Sequence, residues 1–186
     1  TYVGTDGVTV PGVTDRHVYA QTHPALRGKD VPMVFQTYAE VEFLKAEAAI
    51  RGWISSSAEE HYNKGVTAAM KMLKQLYPAS TAITDAEISA YLAGPGAYDA
   101  SKGWEMAMNE YWKATFLNEY EAYANWRRTG YPTLTPTKHP NSVSNNQIFR
   151  RMIYPGGESA TNGENYAAAV ARQGADDFTT RMWWDK

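Results

Sequence analysis

Histidines, carboxylates, paired arginines and a tryptophan doublet are the side chains of this sequence whose types could do chemistry. The four histidines are His17, His23, His61 and His139. None has a partner at metal-ligating spacing, and no HExxH pattern occurs. His61 falls on the outward side of an expected helix and reads as a solvated histidine. Cleaving a glycan needs two carboxylates flanking the bond. Glu40, Glu42 and Glu47 share the first expected helix, and Glu40 and Glu47 lie on one face of it. Their neighbours are Ala and Leu, so the pattern indicates packing rather than a catalytic cleft. For Glu47 it indicates a hydrogen-bond or ion-pair role toward the next hairpin. Arg127-Arg128 has the fork geometry that grips carboxylate or phosphate. It also sits at an expected helix C-terminus, where positive charge is favoured by the dipole. The pair is expected to be structural, holding Glu119, Glu121 or the C-terminal segment. Trp183-Trp184 could stack on sugars, but near the end of the sequence it is expected to tuck into the helical core. Stability rather than binding is the expected role of both elements. No GxSxG, P-loop or GxGxxG pattern occurs.

The elements that must position these residues are mostly helical. Gly4, Gly7, Pro11, Gly12, Pro24, Gly28 and Pro32 make residues 1–32 irregular, with one weak alternating piece, Val8-Thr9-Val10. Helical spacing of Val41, Leu44, Ala48 and Ala49 predicts a first helix over 34–51, ended by Gly52. Ser57 and Glu60 form a capping box opening the second helix, where Ala58, Tyr62, Val66, Ala69, Leu73 and Leu76 make one apolar stripe. The short connection makes the two helices an antiparallel hairpin. Ala58, Tyr62 and Gly65, and again Ala107, Tyr111 and Ala114, follow the small–aromatic–small pattern of a tetratricopeptide helix. Thr84 and Glu87 cap a short helix that Gly94-Pro95-Gly96 ends. A single long helix is expected over 102–126, stopped by Gly130 and Pro132. A loop follows over 131–145, and a last helix over 164–172.

With 186 residues, 44% of them hydrophobic, the chain is large enough for one domain with a real core. A net charge of −2 gives no case for nucleic acid. The absence of cysteine removes disulfides, thiolate metal sites and cysteine nucleophiles. No apolar run approaches the ~20 residues of a membrane span. The first residue is Thr1 and no signal peptide precedes it, as in a mature secreted chain or a fragment. No cofactor is expected.

A set of ordered motifs carries a family resemblance. Thr37 through Trp53 contains an Ala46-Glu47-Ala48, Gly52-Trp53 pattern, and Tyr62 through Val66 follows it. Glu121 through Leu134 includes Arg127-Arg128-Thr129-Gly130-Tyr131-Pro132. Arg150-Arg151-Met152-Ile153-Tyr154-Pro155 comes next, then Asn165-Tyr166 and Trp183-Trp184-Asp185. In order and spacing this resembles the C-terminal portion of the SusD/RagB family of surface glycan-binding lipoproteins. Phe149 stands where that pattern has a proline. The resemblance implies an all-α, tetratricopeptide-like fold of helical hairpins with long irregular loops. Residues 1–186 would be the C-terminal part of a single domain: a loop region 1–32, hairpins 33–130, and a loop with a C-terminal segment 131–186. It also implies a non-catalytic protein on the extracellular face of the outer membrane, anchored by a lipid on an N-terminal cysteine absent from this chain. Such a protein passes an oligosaccharide, or a peptide, to a SusC-like TonB-dependent transporter. The remaining N-terminal part of the same protein would complete the fold.

The family's ligand sites are built on variable loops and do not transfer by motif. Within this chain the loop before the first helix offers Tyr2, His17 and Tyr19 as flat faces and donors. Arg16 and Asp15 supply its polar ends, the mixture that sugar recognition needs. The same residues would also serve to pack the loop on N-terminal helices. A helical-repeat scaffold binding peptides or proteins is the alternative function, because helical hairpins support either.

Overall fold

Thr37 starts the first helix by a reciprocal cap. Its hydroxyl accepts from the Glu40 N–H (3.1 Å), and the Glu40 carboxylate accepts from the Thr37 N–H (3.2 Å). Helix α1 therefore spans Tyr38–Ile50 and begins later than the apolar spacing suggests. Gly52, at φ 72°, ends it. Its left-handed backbone lets the Trp53 N–H reach the Ala48 carbonyl (2.8 Å). Ser57 caps α2, Ala58–Leu76, but only half of the expected box forms. Glu60 turns instead to Lys64 one turn on, at 2.5 Å. Thr84 and Glu87 form the full box at the start of α3, Asp85–Ala93.

This is a computed structural model. It describes the backbone of residues 2–3 and 9–10, and residues 24–78 and 82–185 in full. The chain divides into two compact units: residues 20–126 with 130–132, and residues 1–19 with 127–129 and 133–186.

The first unit is a stack of helices. α1 and α2 form a hairpin, and α4, Gly103–Ala114, packs on both. Phe43, Tyr62, Val66, Met108 and Tyr111 fill the space between them with essentially no exposure. The Phe43 ring meets Tyr62 edge-on at 6.3 Å and Tyr111 at 6.4 Å. Each such side chain contributes about 1.5–3 kcal/mol by leaving water. Small residues make the close approach possible. Ala46, Ala107 and Ala114 are buried at the contact, and a Cβ on Gly65 would lie 2.8 Å from the Phe43 ring. Both small–aromatic–small sets thus occupy the helix contacts, as the tetratricopeptide pattern predicts.

The long helix expected over 102–126 is broken. α4 stops at Ala114, and α5 runs Glu119–Thr129. The buried Thr115 hydroxyl donates back to the carbonyls of Tyr111 (3.0 Å) and Trp112 (3.1 Å). Leu117 then adopts φ 73°. Back-bonding by Thr bends helices, and a left-handed leucine ends one. Neither Gly nor Pro marks the place, so the apolar pattern runs on through it. Gly130, at φ 78°, terminates α5 as expected, and the Tyr131–Pro132 peptide is cis.

The second unit carries little regular structure. β1, Tyr2–Val3, pairs antiparallel with β2, Thr9–Val10, with Tyr2 opposite Val10. Val10 and Thr9 belong to the alternating piece noted in the sequence. Residues 133–157 form loops and turns, with Asn145 and Asn146 at positive φ. A short α6, Glu158–Thr161, unforeseen in the sequence, precedes α7, Gly163–Gln173.

Candidate functional site

The paired arginines and the terminal Trp-Trp-Asp, far apart in sequence, form one interlocked support in the second unit. The backbone N–H of Arg150 donates to the Phe178 carbonyl at 2.7 Å. Phe149 stacks on the Phe178 ring at 4.5 Å, which anchors the turn where the family pattern has a proline. The Arg150 guanidinium reaches Asp185, a carboxylate with no exposed side-chain surface, at 3.0 Å. Arg127 donates to the Arg150 carbonyl (2.8 Å) and lies over the Trp184 ring at 4.6 Å. Arg127 therefore holds the C-terminal segment, as expected. The Arg127 contacts are with the Arg150 segment and Trp184, while Glu121 accepts from Tyr111.

Arg151 is held the same way. Its guanidinium meets Asp176 at 3.1 Å and lies over the Tyr154 ring. Asp176 also accepts from the Tyr154 N–H (3.1 Å) and from the Tyr166 hydroxyl (3.2 Å). Burial and the neighbouring Asp176 charge raise the Tyr166 pKa, so that phenol stays a donor. The ring of Tyr166 meets Tyr154 edge-on at 5.8 Å. Tyr166, Ala169, Val170 and Gln173 make the half-buried face of α7, at the helical spacing of one stripe. Gln173 donates to the Met182 sulfur at 3.4 Å, tying the end of α7 to the terminal segment.

These contacts shape a cleft of about 380 Å³ lined by Tyr154, Ala169, Arg172, Gln173, Arg181, Met182 and Trp183. Trp183 is 85% exposed on it. The structure thus splits the tryptophan doublet. Trp184 packs under Arg127, whereas Trp183 is not tucked into a core, because successive residues of this turn point to opposite sides. The sequence missed Trp183, Arg172 and Arg181 as a group. Alternation within an irregular segment has no periodic signature.

Two further concavities lie in the first unit. One of about 560 Å³ runs along α1 and α2 past Tyr38, Asn63, Lys64, Thr67 and Gln75. The other, about 570 Å³ and mainly apolar, lies at the α4–α5 break beside Trp112, Phe116 and Tyr123.

Of the loop residues expected to bind ligand, Arg16, His17 and Tyr19 lie outside the described residues, as do Asp15 and the side chain of Tyr2. His61 is not solvated. It is buried, with Nδ1 2.6 Å from Glu42 and Nε2 2.8 Å from Ser56. Ser56 and Glu42 of α1 close over a position that the apolar stripe of α2 alone leaves outside. Burial pushes the Glu42 pKa up, but hydrogen bonds from Lys45, His61 and Tyr38 outweigh it and bring it to about 2. Glu40 is raised, chiefly by burial, although its capping bonds to Thr37 oppose this. Glu47, expected to link to the next hairpin, pairs with Arg51 at the end of its own helix at 2.9 Å. Arg51 makes that link by lying over the Trp104 ring of α4. Glu40, Glu42 and Glu47 are thus all buried in structural bonds, and none faces a cleft with a second carboxylate. Among the described residues no group of His, Asp and Glu could hold a metal ion.

Helices packed in the tetratricopeptide manner in the first unit define the class. The chain belongs to the SusD-like family: the family model described as "Starch-binding associating with outer membrane" matches residues 1–155. No curated protein matches it. Among solved structures it is similar to a chitin-binding protein, at 37% identity and TM-score 0.78, over 88% of this chain and 36% of that one. It is similar to a Bacteroidetes SusD-like protein, at 34% identity and TM-score 0.79, over 87% of this chain and 32% of that one. A SusD homologue from Bacteroides fragilis matches at 32% identity and TM-score 0.70, over 84% of this chain and 36% of that one. The chain therefore spans about a third of the length of these relatives.

Proposed function

We propose that the protein binds glycan at the outer face of the outer membrane, without turning it over, and delivers it to a SusC-like TonB-dependent transporter. The observation that carries this reading is the Trp183 cleft on a SusD-like scaffold. An exposed indole face beside directed amide, phenol and guanidinium groups is the combination that holds a sugar ring. The chitin-binding name of one relative points the same way. The buried carboxylates of α1 leave no pair placed for hydrolysis. No helix among the described residues is long and apolar enough to cross a membrane. An N-terminal lipid accounts for attachment.

The chain is the C-terminal part of a larger domain. Phe35 and Met33, at least 80% exposed, flank the start of α1, and Trp53 is exposed at its end. The preceding helical hairpins would cover them. The loop carrying Tyr2, Arg16, His17 and Tyr19 remains a second place for ligand contact in the same function. Affinity electrophoresis of the full-length protein through gels containing chitin-, starch- and pectin-type polysaccharides tests the reading. Retardation in at least one gel, lost in Trp183→Ala, supports it. Free migration in every gel, with capture of a peptide instead, would favour a helical-repeat scaffold.

A further inference from the structure

The charge of the cleft goes beyond what sugar binding requires. Its lining holds two guanidinium groups, Arg172 and Arg181, and no carboxylate. The nearest acids are committed elsewhere. Asp185 is fully buried and held by Arg150 at 3.0 Å, with Arg181 more distant at 3.5 Å. Asp176 is occupied by Arg151, Tyr154 and Tyr166. Arg172 stands in the last turn of α7, where the helix dipole alone would favour a cation. Arg181 comes from a separate segment and lines the same cleft, with Nη1 paired to Asp185 at 3.5 Å and the guanidinium still half exposed. Two guanidinium side chains lining one cleft beside an exposed indole are suited to a planar anion carried on an apolar-faced ring.

We propose that this cleft is a subsite for an acidic sugar, one that carries a carboxylate on the ring as a uronic acid does. The proposal rests on the glycan-binding reading above and specifies its ligand class. Trp183 stacks on the ring face. The guanidinium groups of Arg172 and Arg181 take the carboxylate. The Tyr154 hydroxyl and the Gln173 oxygen, 3.5 Å apart, are placed for ring hydroxyls, while the Gln173 amide nitrogen holds the Met182 sulfur. The volume, about 380 Å³, is at the small end of ligand sites and fits about one or two rings.

The test is calorimetric titration of the full-length protein with three oligosaccharides of matched length: oligogalacturonate, its methyl ester, and neutral chito-oligosaccharide. The expected result is tightest binding to the free acid, weakened about tenfold by esterification and falling with added salt. Arg172→Gln and Arg181→Gln should each weaken the acid form about five- to tenfold and the ester by less. Arg172→Lys, keeping charge but losing the fork, should fall between. Equal binding of acid and ester, insensitive to both Arg variants but lost in Trp183→Ala, would overturn the acidic preference and leave the glycan reading standing. Binding of neutral sugar alone would do the same. Wild-type affinity in Trp183→Ala for every ligand would overturn the cleft as a glycan site. All three positions altered are exposed, and unchanged melting of each variant excludes misfolding.

Discussion

Asp176 is the position where one carboxylate ties the Arg151–Tyr154 segment to α7, so its removal has a calculable cost. The carboxylate accepts from Arg151 Nη2 at 3.1 Å, from the Tyr154 N–H at 3.1 and 3.3 Å, and from the Tyr166 hydroxyl at 3.2 Å. Both charged side chains are largely buried, 7% exposed for Arg151 and 12% for Asp176. Asp176→Asn keeps one acceptor oxygen but leaves the Arg151 charge uncompensated. Breaking a buried pair from one side costs about 3–5 kcal/mol. The Arg151→Met/Asp176→Leu double variant removes both charges, and replacing a buried pair with apolar groups is often near neutral. It still strands the Tyr154 N–H and the Tyr166 hydroxyl, at about 1–3 kcal/mol each. It should therefore lose about as much as Asp176→Asn, roughly 2–6 kcal/mol, although two residues are changed. Urea denaturation, with amide exchange at Tyr154 as a local readout, measures both. A loss under about 1 kcal/mol in Asp176→Asn would refute the assignment of Asp176 as the hub. So would a double variant with the two single losses simply added.

Other outcomes follow from the same contacts. Glu42 has its pKa lowered from 4.5 to about 2, so its ionised form stabilises the fold fully above pH 4.5. That stability, about 3 kcal/mol, is lost as pH falls toward 2. Acid melts of Glu42→Gln should show a flatter dependence between those pH values, and an unchanged profile would contradict the pairing. Gly65→Ala should destabilise by about 1–2 kcal/mol in urea despite the better helix propensity of Ala, since the new Cβ meets the Phe43 ring at 2.8 Å. Trp184→Ala should cost about 2–4 kcal/mol, whereas Trp183→Ala should stay within about 0.5 kcal/mol. The reverse ranking in thermal melts would mean that the doublet is divided the wrong way.

Residues whose role is local were legible in the sequence. Thr84 with Glu87, Gly52, Gly130 and the two small–aromatic–small sets each act within a turn or at one helix contact, and each stands where the pattern put it. What escaped depends on distant partners. His61 faces outward on its own helix and is buried only because Glu42 and Ser56 close on it. The break after Ala114 arises from the Thr115 hydroxyl turning on its own helix and from a left-handed Leu117, in a run without Gly or Pro. Glu40, opening α1, completes a cap with Thr37 that the apolar spacing alone placed inside the helix. The cleft itself joins the last turn of α7 to the terminal segment. Its members share no period, so only the fold brings Arg172, Arg181 and Trp183 together.

Hydrogen–deuterium exchange of the full-length protein, with and without a saturating glycan that it binds, tests the central claim most directly. Protection should appear over residues 169–173 and 181–183, the two segments that form the cleft. It should vanish in Trp183→Ala at the same glycan concentration. Protection confined to other segments, with these two unchanged, would contradict the placement of the sugar on this cleft.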